Sequence, residues 1–337
     1  MTPLQRWRGP LLALCILLGV GCTDDGGAVQ EPRWEIVQEG LPGALLSVWG
    51  TSASDVWAVG ADARDGSGPL VLHYDGTDWA RVPTGQPAGT LWWVFGFEGG
   101  PVYMGGDGGT ILRYEGGAFT AMTTPGVGTV FGIWGASADD LWAVGGSSGA
   151  SDGFAWRLAG DTWAPVASLS ESLPEDAAIW KVYGLSASDV WLVGSSGVAL
   201  HWDGSGLTPA ATGVGSSLFT VHGYDGHYAA VGGAGTGIIV ELDGAGWHQA
   251  SIDSTLVSGL TGVVLGPDDS GVAVGNYSAV YVRTRSGWAP EETGFGLAGN
   301  LHAVWVDPDG GIWAVGGQTF VPPQTDGVLI HRTPPEG

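Results

Sequence analysis

Cysteine and positive charge are scarce in this 337-residue sequence. The two cysteines are Cys15 and Cys22, and Cys15 lies in an N-terminal segment that we expect to be cleaved. An internal disulfide in the mature chain is therefore excluded. Eleven Lys and Arg residues stand against 34 Asp and Glu, a formal net charge of −23. Such a surface repels phosphate backbones, so nucleic acid is excluded as a partner.

Lysine is nearly absent as well, since Lys181 is the only one in the chain. A surface without lysine clusters has no electrostatic attraction to anionic lipid headgroups. We therefore expect membrane contact only through a covalent lipid. The acidic surface favours solubility, and it would also attract a basic partner.

Motifs of known enzyme chemistry are missing too. The sequence has no HExxH motif and no Cys/His cluster with zinc spacing. Neither a GxSxG nucleophile turn nor a pair of carboxylates stands out from the background. We therefore predict no catalytic residues, no metal site and no cofactor.

A repeat of about forty residues occurs seven times between Leu45 and Arg332. Its clearest copies are LLSVWGTSASDVWAVG (45–60), VFGIWGASADDLWAVG (130–145) and IWKVYGLSASDVWLVG (179–194). Each copy reads as four short strands, which in the first copy are LLSVW, DVWAVG, PLVLHY and WARV. Strands rich in Val, Ile and aromatic residues, bounded by Gly, Asp and Ser, are typical of a propeller blade. The sequence predicts an all-β, seven-bladed β-propeller over residues 33–333, with a short tail at 334–337.

The two ends of the repeat array are complementary. The seventh copy stops after LIHR (329–332) before its fourth strand, and RWEIV (33–37) supplies a matching segment before the first copy. An open ring would leave unpaired strand edges. We therefore expect Trp34–Val37 to complete blade seven and close the ring.

The N-terminus has the features of a secretory signal. Arg6 and Arg8 precede the apolar run LLALCILLGVG (11–21), which is too short for a membrane span. LGVG followed by Cys22 resembles the lipobox of bacterial lipoproteins, although Gly19 stands where Leu is commoner. The resemblance implies cleavage of residues 1–21, lipidation of Cys22 and a polar tether over 22–32. Plain secretion with cleavage nearby is the alternative.

Histidines and aspartates recur in fixed columns of the repeat. His73, His201 and His331 share a position on the third strand, and equivalent positions on different blades cannot converge on one metal ion. Two sets of aspartates lie near turns and are predicted to hydrogen-bond the turn backbone: Asp55, Asp140 and Asp189 between the first and second strands, and Asp75, Asp203 and Asp243 between the third and fourth. A structural calcium ion bound by these Asp-rich turns is the alternative.

Four segments are longer in some repeats than in others, and they mark one face of the predicted ring. Three lengthen the connection between second and third strands, and one lengthens a connection between blades: 61–69, 146–153, 317–327 and 167–178. In a propeller these connections emerge on the same face. Insertions in repeat proteins tend to map to the binding face.

The same face has an aromatic column at the start of the first strands. The column is Leu46, Trp92, Phe131, Trp180, Phe219, Thr261 and His302, with Trp93 and Lys181 one position later. We predict that Trp92, Trp93, Phe131, Trp180, Lys181, Phe219 and His302 form an apolar or sugar-stacking pocket. Packing between blades is the alternative.

The VWGxSxxDVWAVG run, followed by a hairpin of the type H-Y/W-D-G-x-x-W, resembles the β-propeller repeat lipoproteins of myxobacteria and related bacteria. It is more distantly similar to photosystem II assembly-factor and BNR-type propellers. The resemblance covers residues 34–332, is strongest in repeats one, three and four, and weakens where His222 and Val264 replace the aromatic residue. It implies a propeller in the cell envelope, on the outer membrane, and no particular substrate.

The predicted function is that of a monomeric, non-catalytic envelope lipoprotein that binds a protein or glycan through its long-loop face. Two other functions stay open at this stage. One is an enzyme acting on polysaccharide or peptidoglycan, and the other is an assembly scaffold for an envelope complex.

Overall fold

A computed structural model describes residues 33–147, 152–297 and 299–334. The predicted signal, Cys22 with its tether, part of the 146–153 insertion and nearly all of the tail lie outside the described residues. The described part of the chain contains no helix of the length and apolarity needed to cross a membrane.

Seven four-stranded antiparallel sheets form the predicted propeller. Blades one and two contain β2 (Leu45–Ser52), β3 (Asp55–Asp62), β4 (Pro69–Tyr74), β5 (Trp79–Arg81), β6 (Leu91–Gly96), β7 (Val102–Gly106), β8 (Ile111–Glu115) and β9 (Ala118–Ala121). Blades three and four contain β10 (Thr129–Ser137), β11 (Asp140–Gly146), β12 (Phe154–Ala159), β13 (Thr162–Pro165), β14 (Ile179–Ser186), β15 (Asp189–Gly194), β16 (Ala199–Trp202) and β17 (Leu207–Pro209).

The remaining blades have the same order of strands. Blades five and six contain β18 (Leu218–Tyr224), β19 (His227–Gly232), β20 (Ile238–Asp243), β21 (Gly246–Gln249), β22 (Leu260–Leu265), β23 (Gly271–Gly275), β24 (Val280–Thr284) and β25 (Gly287–Pro290). Blade seven contains β26 (Asn300–Val306), β27 (Ile312–Gln318), β28 (Thr325–Arg332) and β1 (Trp34–Leu41). The insertion at 167–178 is not only loop, because it includes the one-turn helix α1 (Leu169–Ser172).

The ring is closed by β1, as the sequence predicted. β1 pairs with β28 from Trp34 opposite Arg332 to Leu41 opposite Gly327, so the strand is longer than the predicted Trp34–Val37. The Trp34 side chain is buried, and its Nε1 donates a hydrogen bond to Glu291 of the neighbouring blade at 2.7 Å. The first and last segments of the ring are thus joined within one sheet.

The hydrophobic core is divided into clusters between neighbouring blades. Between blades one and two, for example, Trp57 and Val59 pack against Leu91 and Met104. Between blades seven and one, Trp313 and other buried side chains of β26–β28 pack against β2–β4. Because each blade needs a neighbour on both sides, the fold is stabilised as a ring and not blade by blade.

The repeat has an aromatic residue followed directly by glycine, as in Trp134-Gly135 and Tyr183-Gly184. The aromatic ring of one blade packs on the glycine of the next blade. The Trp134 ring covers Gly184 of the next blade, and a β-carbon on Gly184 would lie 2.7 Å from that ring. Trp305 covers Gly50 in the same way across the closure between blades seven and one. Only glycine permits this approach, so the pair sets how closely adjacent blades pack.

The closure predicts a large effect of removing the Trp34 side chain. We expect Trp34→Ala to lower the free energy of unfolding by about 3 kcal/mol, because it leaves a cavity in the last blade and removes the hydrogen bond to Glu291, which keeps only its ion pair with Arg332. Glu39→Ala, an exposed change on the same strand, should alter it by less than about 0.5 kcal/mol. Urea denaturation monitored by tryptophan fluorescence gives both values, and equal effects would show that β1 does not stabilise the ring.

The aromatic-glycine packing makes a second prediction. Gly184→Ala should lower the free energy of unfolding by about 2 kcal/mol, because the new methyl group overlaps the Trp134 ring. Gly206→Ala is the matched control, since a β-carbon there meets no atom within 4 Å. If the two variants unfold at the same urea concentration, the proposed packing of blades is incorrect.

Candidate functional site

The first strand of every blade lines the channel. Each of these strands pairs with one strand of its own blade and packs against the first strands of the neighbouring blades. Their inner backbone edges are therefore not paired within a sheet. Side chains from adjacent blades have to supply the missing hydrogen bonds.

All seven inner strands have a β-bulge near their start. The pairing with the second strand skips one residue at the same place in each blade, and the skipped residues are Leu46, Trp92, Phe131, Trp180, Phe219, Thr261 and His302. These are the seven positions of the predicted column. A bulge leaves one residue out of the ladder and redirects its side chain, which explains how six members of the column are gathered around the channel entrance; Leu46, the seventh, is fully buried.

The aromatic members of the column contact one another in sequence. Ring centroids are 5.4 Å apart for Trp92 and Phe131, 5.1 Å for Phe131 and Trp180, and 6.3 Å for Trp180 and Phe219. His302 lies 6.2 Å from Trp92 on the other side. The pairs are tilted or edge-to-face, which is the favoured geometry for aromatic rings.

These rings enclose a cavity of about 390 Å³ at the channel entrance. Six of the seven predicted residues border it: Trp92, Phe131, Trp180, Lys181, Phe219 and His302. The volume is within the range of small-ligand sites, and the walls are mainly aromatic. The structure thus brings the predicted residues together, while their role in binding stays a prediction.

Trp93, the seventh predicted residue, does not border the cavity. Its indole Nε1 donates to the Ile133 carbonyl of the next blade at 2.8 Å, and its ring packs in the core between blades two and three. The ring centroid lies 3.6 Å from the Lys181 Nζ. Trp93 therefore contacts the cavity only through Lys181, by a cation–π interaction.

Lys181 is the buried charged group of the site. Its side chain is 5% exposed, and Nζ donates a hydrogen bond to the Phe131 carbonyl at 2.7 Å. Among the described residues no carboxylate lies within 4 Å of Nζ. Burial lowers the pKa of Lys181 to about 7, because an ammonium group is poorly solvated there.

Carbonyls freed by the bulges accept side-chain donors from adjacent blades. Lys181 donates to Phe131, Thr220 donates to Thr261 at 2.6 Å, and His302 Nδ1 donates to Leu46 at 2.6 Å. Burial, together with the positive charge of Lys181, lowers the pKa of His302 to about 4. The imidazole is therefore neutral at pH 7, with the proton on Nδ1.

The structure adds cavity residues that sequence reasoning missed. Asp107, Thr220 and Phe320 are among them. Asp107 accepts hydrogen bonds from Trp92 Nε1 and the Thr90 backbone, so it fixes the Trp92 ring. Phe320 lies in the predicted insertion of blade seven. The sequence could have indicated it only as an aromatic residue within a long loop.

The third-strand histidines lie apart from this site. His73 Nε2 is 2.6 Å from Asp55, and its ring stacks on Trp57 with centroids 4.1 Å apart. His201 and Asp189 form the equivalent pair at 2.8 Å. Within the described ranges no group of three His, Cys, Asp or Glu residues is placed to hold a metal ion, and the alternative of a structural calcium stays untested.

One prediction about the aspartates was wrong. Asp55, Asp140 and Asp189 begin the second strands and bind His or Arg side chains of the third strands; Asp140, for instance, forms two hydrogen bonds with Arg157 at 2.7 and 2.9 Å. Their side chains point across the sheet, so they do not reach the turn backbone. The second set does act as predicted, and Asp75 and Asp203 each accept two turn N–H groups.

No family model and no curated protein sequence matches this chain. Solved structures do share the fold. YCF48 from Cyanidioschyzon merolae has a TM-score of 0.66 and 17% identity, covering 89% of this chain and 98% of that one. The WD40 propeller of Doa1 has a TM-score of 0.66 and 14% identity, covering 88% and 96%.

Two further structures show what such rings do elsewhere. YCF48 has also been solved bound to a D1 peptide, with a TM-score of 0.65, 14% identity and coverage of 92% and 99%. The GH74 xyloglucanase of Xanthomonas campestris has a TM-score of 0.58 and 18% identity, and the match covers 89% of this chain and 55% of the enzyme. At these identities the likeness establishes the propeller fold alone. It confirms at that level the distant similarity to photosystem II assembly-factor propellers predicted from the repeats, since YCF48 is such a factor.

Proposed function

We propose that this chain is a non-catalytic lipoprotein of the cell envelope whose propeller binds a protein partner through the long-loop face. By long-loop face we mean the side formed by the connections between second and third strands and between blades. The observation that carries the proposal is the position of the exposed apolar side chains.

Five apolar side chains are the most exposed large hydrophobic residues of the described chain: Val127, Leu256, Tyr277, Phe320 and Val321. Tyr277 is 87% exposed and Leu256 is 85% exposed. All five lie in loops of the long-loop face. We call them the apolar loop residues, and apolar groups concentrated on one face favour a protein-binding surface.

Tyr277 is also held in an unfavourable backbone conformation. It has φ of 57° in the turn between β23 and β24. The equivalent turn of blade two has Gly108 at this position, with φ of 65°. A bulky residue that costs stability and contacts solvent favours a role in binding over a role in folding.

The cavity opens on the same face, as the loop residues Asp107 and Phe320 on its border show. Asp107 is the only carboxylate among its described lining residues. A glycosidase of the usual type uses two carboxylates, so the described lining favours binding over glycan hydrolysis. The peptide-bound YCF48 structure is a precedent for protein recognition by this fold.

The strain at Tyr277 predicts opposite effects on stability and binding. We expect Tyr277→Gly to raise the free energy of unfolding by about 1 kcal/mol, because glycine tolerates positive φ. The same variant should lose capture of the partner from detergent-solubilised envelope of the cells that make the chain. Urea denaturation and quantitative mass spectrometry of the captured proteins measure the two effects.

The matched control for this experiment is Ser196→Gly. Ser196 has φ of 55° in the equivalent turn of blade four, on the same face, but carries no apolar group. It should gain stability and keep partner capture. A Tyr277→Gly chain that captures the same proteins in the same amounts would contradict the proposed binding face.

Lipid anchoring is tested with the two cysteines of the chain. Cys22→Ala should release the protein from the membrane fraction and abolish incorporation of an alkyne-labelled fatty acid, because diacylation and amine acylation supply the chains that stable anchoring needs. Cys15→Ala, within the predicted signal, should leave both unchanged. An unaltered chain that is recovered outside the membrane fraction and incorporates no label would support plain secretion instead, and a Cys22→Ala chain that stays in the membrane fraction would contradict anchoring by this lipid.

A further inference from the structure

We propose that the channel-mouth cavity takes the carboxyl terminus of the partner protein, with Lys181 as the counter-ion of the terminal carboxylate and the aromatic walls holding the last side chain. This inference rests on the protein-binding function proposed above and specifies which part of the partner is recognised.

The first argument is the missing counter-ion of Lys181. Buried lysine side chains are normally paired with a carboxylate, because an isolated charge is costly in an apolar site. In the described structure the ammonium group has one hydrogen bond, to the Phe131 carbonyl, and one ring contact, to Trp93. Two N–H donors and the positive charge are left for a ligand that reaches the cavity.

The second argument is the composition of the cavity. Much of its lining is aromatic, with the rings of Trp92, Phe131, Trp180, Phe219 and Phe320. Of the polar side chains on its border, Asp107 accepts a hydrogen bond from Trp92 and the Ser147 hydroxyl donates to Asp152. The hydroxyls of Thr220 and Thr261 already donate to carbonyls of neighbouring blades. A ligand therefore needs an apolar body for the walls and a single anionic end for Lys181, which is the chemistry of an apolar C-terminal residue.

The third argument separates a protein terminus from a free aromatic acid of the same chemistry. Phe320 both borders the cavity and belongs to the apolar loop residues. A chain that entered the cavity by its terminus would continue over this surface and cover exposed apolar area. A small acid would leave that area in water.

The affinity for a carboxylate should depend on pH. Burial sets the pKa of Lys181 near 7 in the free protein, and a bound carboxylate favours the ammonium form and raises that pKa. Below pH 7 the ammonium group is already present. Above pH 7 binding has to take up a proton, so the affinity should fall by up to about tenfold for each pH unit.

Two other titratable groups, Asp107 and His302, border the cavity. Asp107 is hydrogen-bonded to Trp92 and the Thr90 backbone, and the pKa of His302 is lowered to about 4. If titration of these groups changed the shape of the cavity, it would alter the affinities for charged and for neutral ligands to a similar extent. A neutral ligand of the same shape therefore isolates the contribution of Lys181.

The test uses the full chain and three defined probes in isothermal titration calorimetry. The probes are acetyl-Leu-Ala-Phe as the free acid, the same peptide as its C-terminal amide, and 3-phenylpropionate. We expect the acid peptide to bind at least about tenfold more tightly than the amide at pH 6. Its advantage should shrink between pH 7 and pH 9, and 3-phenylpropionate should bind more weakly than the acid peptide.

Two variants assign the preference to one residue. Lys181→Met should abolish the preference for the acid, and Arg285→Met should keep it. Arg285 is exposed in the turn between β24 and β25, on the opposite face, so this control removes the same charge from the chain. If Lys181→Met does not fold, the comparison of acid and amide over pH in the unaltered chain still decides the proposal.

Three results would overturn the inference. Equal affinity for acid and amide would leave Lys181 as a structural donor to the Phe131 carbonyl. Equal affinity for 3-phenylpropionate and the acid peptide would assign the cavity to free aromatic acids. If no probe binds, the cavity does not take part in recognising the partner. The proposed protein-binding face would still be tested separately by the Tyr277→Gly and Ser196→Gly variants.

Discussion

The pairing of β1 with β28 is the contact on which the rest of the molecule depends. Each blade buries its faces only against two neighbours, so blade seven needs blade one, and blade seven is itself completed by the first strand of the chain. Trp34 extends this closure to blade six through its hydrogen bond to Glu291. An open array would expose two apolar faces and an unpaired edge, and a stable channel with a defined entrance requires the ring to be closed.

Closure also constrains the backbone around the channel. Seven inner strands lie side by side, and a bulge in each leaves one residue out of the ladder and frees its backbone groups. Six of these side chains border the cavity at the entrance, and Leu46 is buried. Lys181, Thr220 and His302 bind those carbonyls, which links the blades at the place where the aromatic cavity forms. Structure and proposed function therefore use the same residues: the side chains that hold adjacent blades together also surround the proposed ligand site. Lys181 illustrates this overlap, since it donates to the Phe131 carbonyl and, among the described residues, has no carboxylate partner for its charge.

Much of the fold could be predicted because the repeats carry it. An aromatic residue followed by glycine stands at a fixed distance before Asp55, Asp140 and Asp189, and an apolar run follows each aspartate. Blade number, strand order and the closure by Trp34 therefore follow from the sequence. The aromatic column could also be predicted, since its members occupy one position of the repeat.

The bulges could not be predicted from the sequence, because the pairing register depends on two strands at once. Trp93 was grouped with its neighbour Trp92, but its ring packs between blades two and three, whereas Lys181 and Thr220 at the equivalent position reach the cavity. Phe320 lies in an insertion whose sequence is not repeated in the other lengthened connections, so periodicity could not place it.

Hydrogen exchange of the full chain, measured residue by residue, tests the central claim that β1 closes the ring. If closure stabilises the whole propeller, the paired amides of β1 and β28 should exchange as slowly as those of β26 and β27, through global unfolding. Rapid exchange along β1, with β26–β28 still protected, would show that the ring is stable without its first strand and would contradict this account.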